Sequence, residues 1–167
     1  MKNKTAITIR PIKPEDEPLM VKFHHTLSAE SVYQRYFSAL KLSQRVAHER
    51  LTRICFNDYD REIALVAEAK LAKLGVAEKI IAVGRLSKLP QLNQAEYAVV
   101  VSDHWQSQGL GTELLRRLVE IGRVEKLDKI SGQVLSENHA MQHICAKVGF
   151  KVVHDPESNF YNASYTY

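Results

Sequence analysis

The chain has 167 residues, of which 45% are hydrophobic and 25% are charged, with seven glycines and five prolines. This length and composition predict a single globular domain over residues 1–167 and exclude a disordered, collagen-like or fibrous protein. No stretch approaches the roughly 18 apolar residues of a membrane span, and residues 1–8 lack the apolar centre of a signal peptide. We therefore expect a cytoplasmic protein that makes no contact with a membrane.

The charge balance is modestly basic, with 23 Lys and Arg against 19 Asp and Glu and a formal net charge of +4. Scattered basic residues mildly favour an anionic ligand, but they lack the stripe of a nucleic-acid-binding face, so no nucleic-acid partner is expected. Cys55 and Cys145 have no CxxC spacing, and His139 and His143 have no evident third ligand. Neither a disulfide scaffold nor a metal site is therefore expected.

Hydrophobic periodicity predicts alternating groups of strands and helices along the chain. In order, they are strand 5–11, helices 14–27, 28–37 and 43–56, strands 61–69, 79–86 and 94–102, helix 109–124, strand 129–135, helix 138–148, and strands 150–153 and 160–165. Ser28 and Ser43 are predicted caps of two helices, and Gly149 ends the last one. The three successive strands between residues 61 and 102 predict an antiparallel meander.

A glycine motif separates the predicted strand 94–102 from the predicted helix that follows it. The segment reads Gln106-Ser-Gln-Gly109-Leu-Gly111. Glycine lets the backbone turn sharply against a ligand, and the first amides of a helix have no partner within the helix. We therefore expect an anion site that fits a pyrophosphate. A P-loop is excluded because no lysine follows Gly111, and a dinucleotide fingerprint because Leu114 replaces its third glycine.

This segment resembles the Arg/Gln-x-x-Gly-x-Gly/Ala signature of the GCN5-related N-acetyltransferase (GNAT) family, which binds the pyrophosphate of acetyl-CoA. Gln106, Gly109 and Gly111 occupy the fixed positions, and residues 138–150 resemble a later motif of the family. The order of predicted elements is also similar. The resemblance implies an α/β fold: a mixed, mostly antiparallel twisted sheet flanked by helices, with the strands splayed after the fourth to admit the CoA arm.

Other segments resemble the acetyltransferase module of bacterial protein lysine acetyltransferases. They are residues 9–11, 14–20, 26–37, 53–62 and 95–101. In that group the module is often fused to an acyl-CoA synthetase-like region, which has no counterpart in this sequence. The resemblance implies transfer of the acetyl group of acetyl-CoA to a lysine side chain of a protein. The alternatives are a small amine acceptor, such as a polyamine or an amino-sugar drug, and an inert CoA-binding regulatory protein.

The same resemblance implies roles for individual residues. Glu96 would take a proton from the acceptor amine, which costs roughly 4.6 kcal/mol to deprotonate at pH 7. Burial of this carboxylate in an apolar strand is the expectation that favours catalysis over pairing with a surface cation. Main-chain groups would polarise the thioester carbonyl or pair with the pantetheine arm. The residues that would contact the cofactor are Val99, Val100, Val101, Gln106, Gln108, Gly109, Leu110, Gly111, Thr112 and Asn138.

Asn138 is equally suited to contacting the pantetheine and to capping the last helix. Many family members carry a tyrosine seven residues beyond this asparagine, where it protonates the leaving thiolate. This chain has Cys145 there. Cys145 is therefore a candidate catalytic acid, and the alternative is a buried small hydrophobic side chain.

Two further features remain open at the level of sequence. Aromatic and cationic residues of the second helix either line an acceptor groove or pack in the core; they are Tyr33, Arg35, Tyr36 and Phe37. The terminal strands, which end at Tyr167, offer a surface for pairing in a homodimer.

Overall fold

The computed structural model describes residues 5–70 and 78–167 of the chain. Its strands are β1 (Ala6–Pro11), β2 (Glu62–Lys70), β3 (Lys79–Lys88), β4 (Gln94–Val101), β5 (Lys129–Leu135), β6 (Lys151–His154) and β7 (Phe160–Thr166). Its helices are α1 (Glu17–His25), α2 (Ala29–Tyr36), α3 (Leu42–Arg45), α4 (His48–Cys55), α5 (Leu110–Val124) and α6 (His139–Val148). Residues 1–4, part of the segment in which the sequence predicts no signal peptide, lie outside the described residues.

The strands form one seven-stranded sheet in the order β1-β2-β3-β4-β5-β7-β6. Neighbouring strands are antiparallel except for β4 and β5, which run parallel. The parallel pair is short, joining Gln94–Glu96 to Lys129–Ser131, and the register ends at Glu96. The mostly antiparallel sheet, the meander β2-β3-β4 and the splay after the fourth strand are therefore confirmed.

Helices cover both faces of the sheet, so β2 and β3 are buried along most of their length. On one face, α5 packs through side chains such as Leu114 and Leu118, and α6 packs through Cys145. On the other face, α1 and α4 pack through side chains such as Phe23 and Leu51. Full burial of a side chain of this kind contributes about 1.5–3 kcal/mol. Within the part of the chain that the structure describes, no helix has the length and apolar character needed to cross a membrane.

The predicted helix 43–56 is wrong as one element, because the structure forms α3 and α4 with a break between them. Val46 ends α3 outside the helical region, and Ala47 precedes α4 with extended torsion angles. The buried guanidinium of Arg45 donates to the carbonyls of Leu40 and His24, which fixes the end of α3 against α1. Ser43 lies within α3 and does not cap it.

The other predicted helix ends are close to those observed. Ser28 caps α2, with its Oγ accepting from the amide of Ser31 at 3.1 Å. Gly149 ends α6 in a left-handed conformation, at φ +106°. The predicted helix 14–27 begins as a 3-10 turn over Pro14–Asp16 before α1 continues it. A proline at the start and acidic residues in the first turn are both typical of such an end.

His24 is a buried polar side chain in the core between α1 and the sheet. It is 2% exposed, and neither ring nitrogen has a hydrogen-bond partner in the described part of the chain. Burial, reinforced by the positive charges of Arg50 and Arg45, lowers the pKa of His24 to about 3. The folded protein therefore holds this imidazole neutral at physiological pH.

We predict that acid destabilises the fold through His24. Because its pKa is about 3 when folded and about 6.5 when unfolded, only the unfolded chain takes up the proton between these values. Stability is therefore complete above about pH 6.5 and falls as the pH decreases towards about 3, by up to about tenfold in the unfolding equilibrium constant per pH unit.

His24→Leu should remove this dependence, and urea unfolding at about pH 7 and about pH 5 measures it. The matched control is His25→Leu, at the exposed neighbouring position, which should keep the pH dependence of the unsubstituted chain. An unchanged pH dependence in His24→Leu would contradict the assignment.

Candidate active site

A cavity of about 570 Å³ opens where β4 and β5 diverge. Its walls are formed by β4, the loop before α5, the far half of β5, α2 and one face of α6. Most of the residues expected to bind the cofactor or act in catalysis line it together. They are Glu96, Val99, Val100, Val101, Gln106, Gly109, Gly111, Thr112 and Asn138.

The N-terminus of α5 forms part of this wall. No side chain caps the helix, and the first backbone hydrogen bond runs from the amide of Glu113 to the carbonyl of Gly109 at 3.1 Å. The amides of residues 110–112 donate to no group within residues 5–70 and 78–167. Free amides at the positive end of a helix attract an anion. The site therefore has the donors that a diphosphate requires.

Glycine is required at the two positions of the motif for different physical reasons. Gly109 lies at φ +87°, in the left-handed region, although a Cβ there would meet no atom within 4 Å. Its requirement is thus conformational. At Gly111 a Cβ would lie 3.1 Å from Cδ1 of Ile144, so the absence of a side chain allows α5 to approach α6 closely.

Gln106 connects two walls of the cavity. Its side-chain amide donates to Oγ of Ser31 at 3.0 Å and to the carbonyl of Val101 at 3.1 Å. Gln108 and Leu110, also expected in the cofactor cradle, do not line the cavity. The Gln108 amide donates to the carbonyl of His104 within the same loop, and Leu110 is buried in the core under α5. Their side chains are therefore not part of the cradle.

Glu96 lies at the point where the β4–β5 register ends, opposite Ser87 on β3 and Ser131 on β5. The expectation that its carboxylate is buried is wrong: Ala95 and Tyr97 on either side are buried, whereas Glu96 points to the opposite face of the sheet and is exposed. It lines the cavity and forms no ion pair with any described residue. The carboxylate is thus accessible from the cavity.

Cys145 does not line the cavity, and its role as the acid that protonates a leaving thiolate stays a prediction. It is fully buried, and burial raises the pKa of its thiol. Its Sγ lies 3.0 Å from Oη of Tyr97, which is among the residues that line the cavity. Burial raises the pKa of Tyr97 as well, so this phenol keeps its proton. The alternative interpretation of Cys145, a buried small side chain, fits the structure.

Tyr97 was not singled out from the sequence, because it lies in a strand whose apolar side chains were interpreted as core. Its ring packs over the backbone of Gly132, where a Cβ would lie 2.7 Å from Cε1. The available signals were a tyrosine directly after Glu96 and a glycine inside the facing strand β5, a position that commonly marks close approach.

Asn138 caps α6, because its Oδ1 accepts from the amide of Met141 at 3.1 Å. It also lines the cavity, so a contact with the pantetheine arm stays a prediction. Of the aromatic and cationic residues of the second helix, Arg35 and Phe37 line this cavity. Other lining residues were not singled out from the sequence; they include Ser31, Gln34, Trp105, Met141, Ile144 and Lys147.

His139 and His143 belong to no larger cluster of ligands. Across residues 5–70 and 78–167, no group of three or more His, Cys, Asp or Glu side chains is placed to hold a metal ion.

The amino-acid sequence of this chain is similar to those of known proteins. The family described as acetyltransferase (GNAT) domain matches residues 6–151. Acetyltransferase PA5475 of Pseudomonas aeruginosa is 26% identical over 157 residues, which cover 92% of this chain and 79% of that protein. Acetyltransferase Pat of Mycolicibacterium smegmatis is 23% identical over 141 residues, or 84% of this chain. The match spans only 40% of the Pat protein, so the chain corresponds to less than half of its length.

Solved structures share the fold. The GNAT domain of S. lividans PAT superimposes with a TM-score of 0.81 at 20% identity, covering 98% of this chain and 97% of that one. The structure of yncA from Salmonella typhimurium, determined with its cofactor acetyl-CoA, gives a TM-score of 0.68 at 18% identity, covering 96% and 94%. The open, mostly antiparallel sheet flanked by helices is common to these proteins. With a family match over nearly the whole length, the chain belongs to the acetyltransferase (GNAT) domain family and is an acyltransferase.

Proposed function

We propose that this chain transfers the acetyl group of acetyl-CoA to the side-chain amine of a protein lysine. The proposal is carried by one observation: the cavity combines the free amides at the start of α5 with the accessible carboxylate of Glu96. A diphosphate and an amine therefore have complementary groups in one continuous space. The lysine acceptor is supported by the resemblance to the acetyltransferase module of protein lysine acetyltransferases and by the likeness to the S. lividans PAT domain.

Binding of the cofactor would use backbone groups on two elements. The amides of residues 110–112 would hold the diphosphate, because they have no partner in the described chain. The main chain of Val99, Val100 and Val101 would pair with the pantetheine arm like an added strand, since β5 has diverged from β4 there. Gln106, fixed by Ser31 and Val101, would shape the entrance to the cradle.

The transfer would then need a group that accepts a proton from the amine and a group that polarises the thioester carbonyl. Glu96 would accept a proton from the amine, whose nitrogen forms a bond to the acetyl carbon as the carbon–sulfur bond breaks. A β4 amide, that of Val99 or its neighbour, would polarise the thioester carbonyl. A thiol with a pKa near 8.5 can leave unprotonated at a cost of about 2 kcal/mol at pH 7, so the reaction does not require Cys145 as an acid.

Release of free thiol from acetyl-CoA tests the proposal against its alternatives. We expect release with a lysine-containing protein extract, and mass spectrometry should find acetyl groups on lysine side chains. Release with a polyamine or an amino sugar, but not with protein, would favour a small-molecule acceptor. Binding of CoA without release for any acceptor would favour an inert regulatory protein.

Gly109→Ala should weaken CoA binding by at least about tenfold, because alanine in the left-handed conformation costs about 1–2 kcal/mol and relaxation of the loop would turn the amides away. Gly149→Ala is the matched control: it carries the same strain at φ +106° but lies outside the cavity. Both variants should lose stability in urea unfolding, and only Gly109→Ala should lose affinity in calorimetry. Equal CoA affinity in the two variants would contradict the cradle.

Glu96→Gln should lower turnover at least about tenfold and leave the affinity for CoA unchanged, because the amide keeps the shape of the side chain but accepts no proton. Glu120→Gln, the same change at an exposed position of α5 outside the cavity, should have no effect. Raising the pH should partly rescue Glu96→Gln, since a larger fraction of the amine is then already free. Full turnover in Glu96→Gln would remove Glu96 from the mechanism.

A further inference from the structure

A second cavity, of about 460 Å³, lies on the face of the sheet that carries α1, α2 and α4. Four arginines line it, namely Arg35, Arg50, Arg53 and Arg85, and the single carboxylate in its lining is that of Glu62. We call this space the arginine cavity. Its lining side chains therefore carry three more positive than negative charges.

Only some of the N–H donors of these arginines form hydrogen bonds with the residues that the structure describes. Arg85 donates to Glu62 at 3.1 Å and to the carbonyl of Ile54 at 3.0 Å. Arg50 donates to the carbonyl of Arg45 and to Oη of Tyr36. Arg35 makes no hydrogen bond or ion pair with the described residues, and its guanidinium lies 4.8 Å from the centre of the Tyr36 ring. A half-buried guanidinium with unused donors is suited to an oxyanion.

His24 gives a second, independent indication of a ligand. It lines the arginine cavity, is 2% exposed, and has no partner for either ring nitrogen within residues 5–70 and 78–167. A buried polar group without a partner costs free energy, and such groups are uncommon in folded proteins. A neutral imidazole carries one N–H that can donate to an anion entering the cavity.

The arginine cavity adjoins the candidate active site. Arg35, Ser87, Ala98 and Val100 line both spaces. The β3–β4 register pairs Ser87 with Glu96 and Arg85 with Ala98, so Glu96 and Arg85 lie on the same face of the sheet as diagonal neighbours. Diagonal neighbours lie roughly 7–8 Å apart, with their Cβ atoms somewhat closer. An amine at Glu96 is therefore within a few bonds' reach of an anion at the arginines.

We propose that the arginine cavity binds an anionic group of the acceptor, a carboxylate or phosphate carried close to the amine that is acetylated. This inference rests on the proposed function, because it assigns the amine to the space beside Glu96. It defines the acceptor class: a lysine with an acidic residue next to it in a protein, or, from the other source of the same chemistry, a small amine that carries its own anion.

Binding of matched acceptors to the CoA-loaded protein, measured by calorimetry, tests this inference without turnover. The first pair is a blocked peptide with a glutamate beside its lysine and the same peptide with glutamine in place of the glutamate. The second pair is 4-aminobutyrate and butylamine. We expect the anionic member of at least one pair to bind about tenfold or more tightly, since hydrogen bonds to charged groups are among the strong ones.

Variants of single arginines test whether the preference for the anionic acceptor arises in the arginine cavity. Arg35→Gln should abolish it, and Arg35→Lys should retain part of it, because the charge remains but the planar pair of donors is lost. Arg61→Gln is the control: it removes an exposed arginine that lines neither cavity, and the preference should persist.

The outcomes separate the inferred anion site from the proposed transfer of acetyl groups to lysine. A preference confined to the peptides supports the acidic protein acceptor, and one confined to 4-aminobutyrate keeps the anion site but overturns the lysine acceptor. Equal binding within both pairs, no binding of any probe, or a preference that survives Arg35→Gln overturns the inference, even if acetyl transfer is observed. A preference without any acetyl transfer to the same probes would uphold the anion site and contradict the proposed function.

Discussion

The candidate active site depends on the point at which β4 and β5 stop pairing. These parallel strands are joined by a crossover through α5, so the C-terminal end of β4 leads directly to the N-terminus of that helix. Because the register ends at Glu96, the strands separate beyond this residue, and the cavity that opens there is also lined by Gly109, Gly111 and Thr112 at the start of α5. One break in the sheet thus brings together a strand edge, a helix terminus and a carboxylate.

The same strand separates two chemically different spaces. On one side of β4 the candidate active site offers backbone donors, and Tyr97 contacts the buried Cys145 there. On the other side, the arginine cavity offers guanidinium groups and the imidazole of His24, which has no hydrogen-bond partner among the described residues. Backbone amides suit any diphosphate, whereas side-chain cations discriminate among acceptors. In the proposed function, recognition of the cofactor would therefore belong to the main chain of the fold, and selection of the acceptor to its side chains.

Much of this arrangement was accessible from the sequence. The glycine motif was informative because Gly109 meets a backbone requirement that few residues satisfy, and three successive apolar strands predicted the meander. The exposure of Glu96 was not, because a strand of mostly apolar residues does not show which of its two faces is left open; Ala95 and Tyr97 on either side are buried. The arginine cavity was also hidden, because Arg35, Arg50 and Arg85 come from α2, α4 and β3 and meet only through tertiary packing. The break within residues 43–56 depends in the same way on a contact between distant segments, that of Arg45 with α1.

We propose that the backbone amides of residues 110–112 hold the diphosphate of coenzyme A. Two-dimensional amide NMR of the ¹⁵N-labelled protein tests it most directly, with CoA and with pantetheine, which has no diphosphate, as the two titrants. The account predicts that CoA shifts these three amide resonances strongly while pantetheine leaves them in place and moves only signals of β4. Amides of residues 110–112 that do not respond to CoA, or that respond equally to pantetheine, would contradict it.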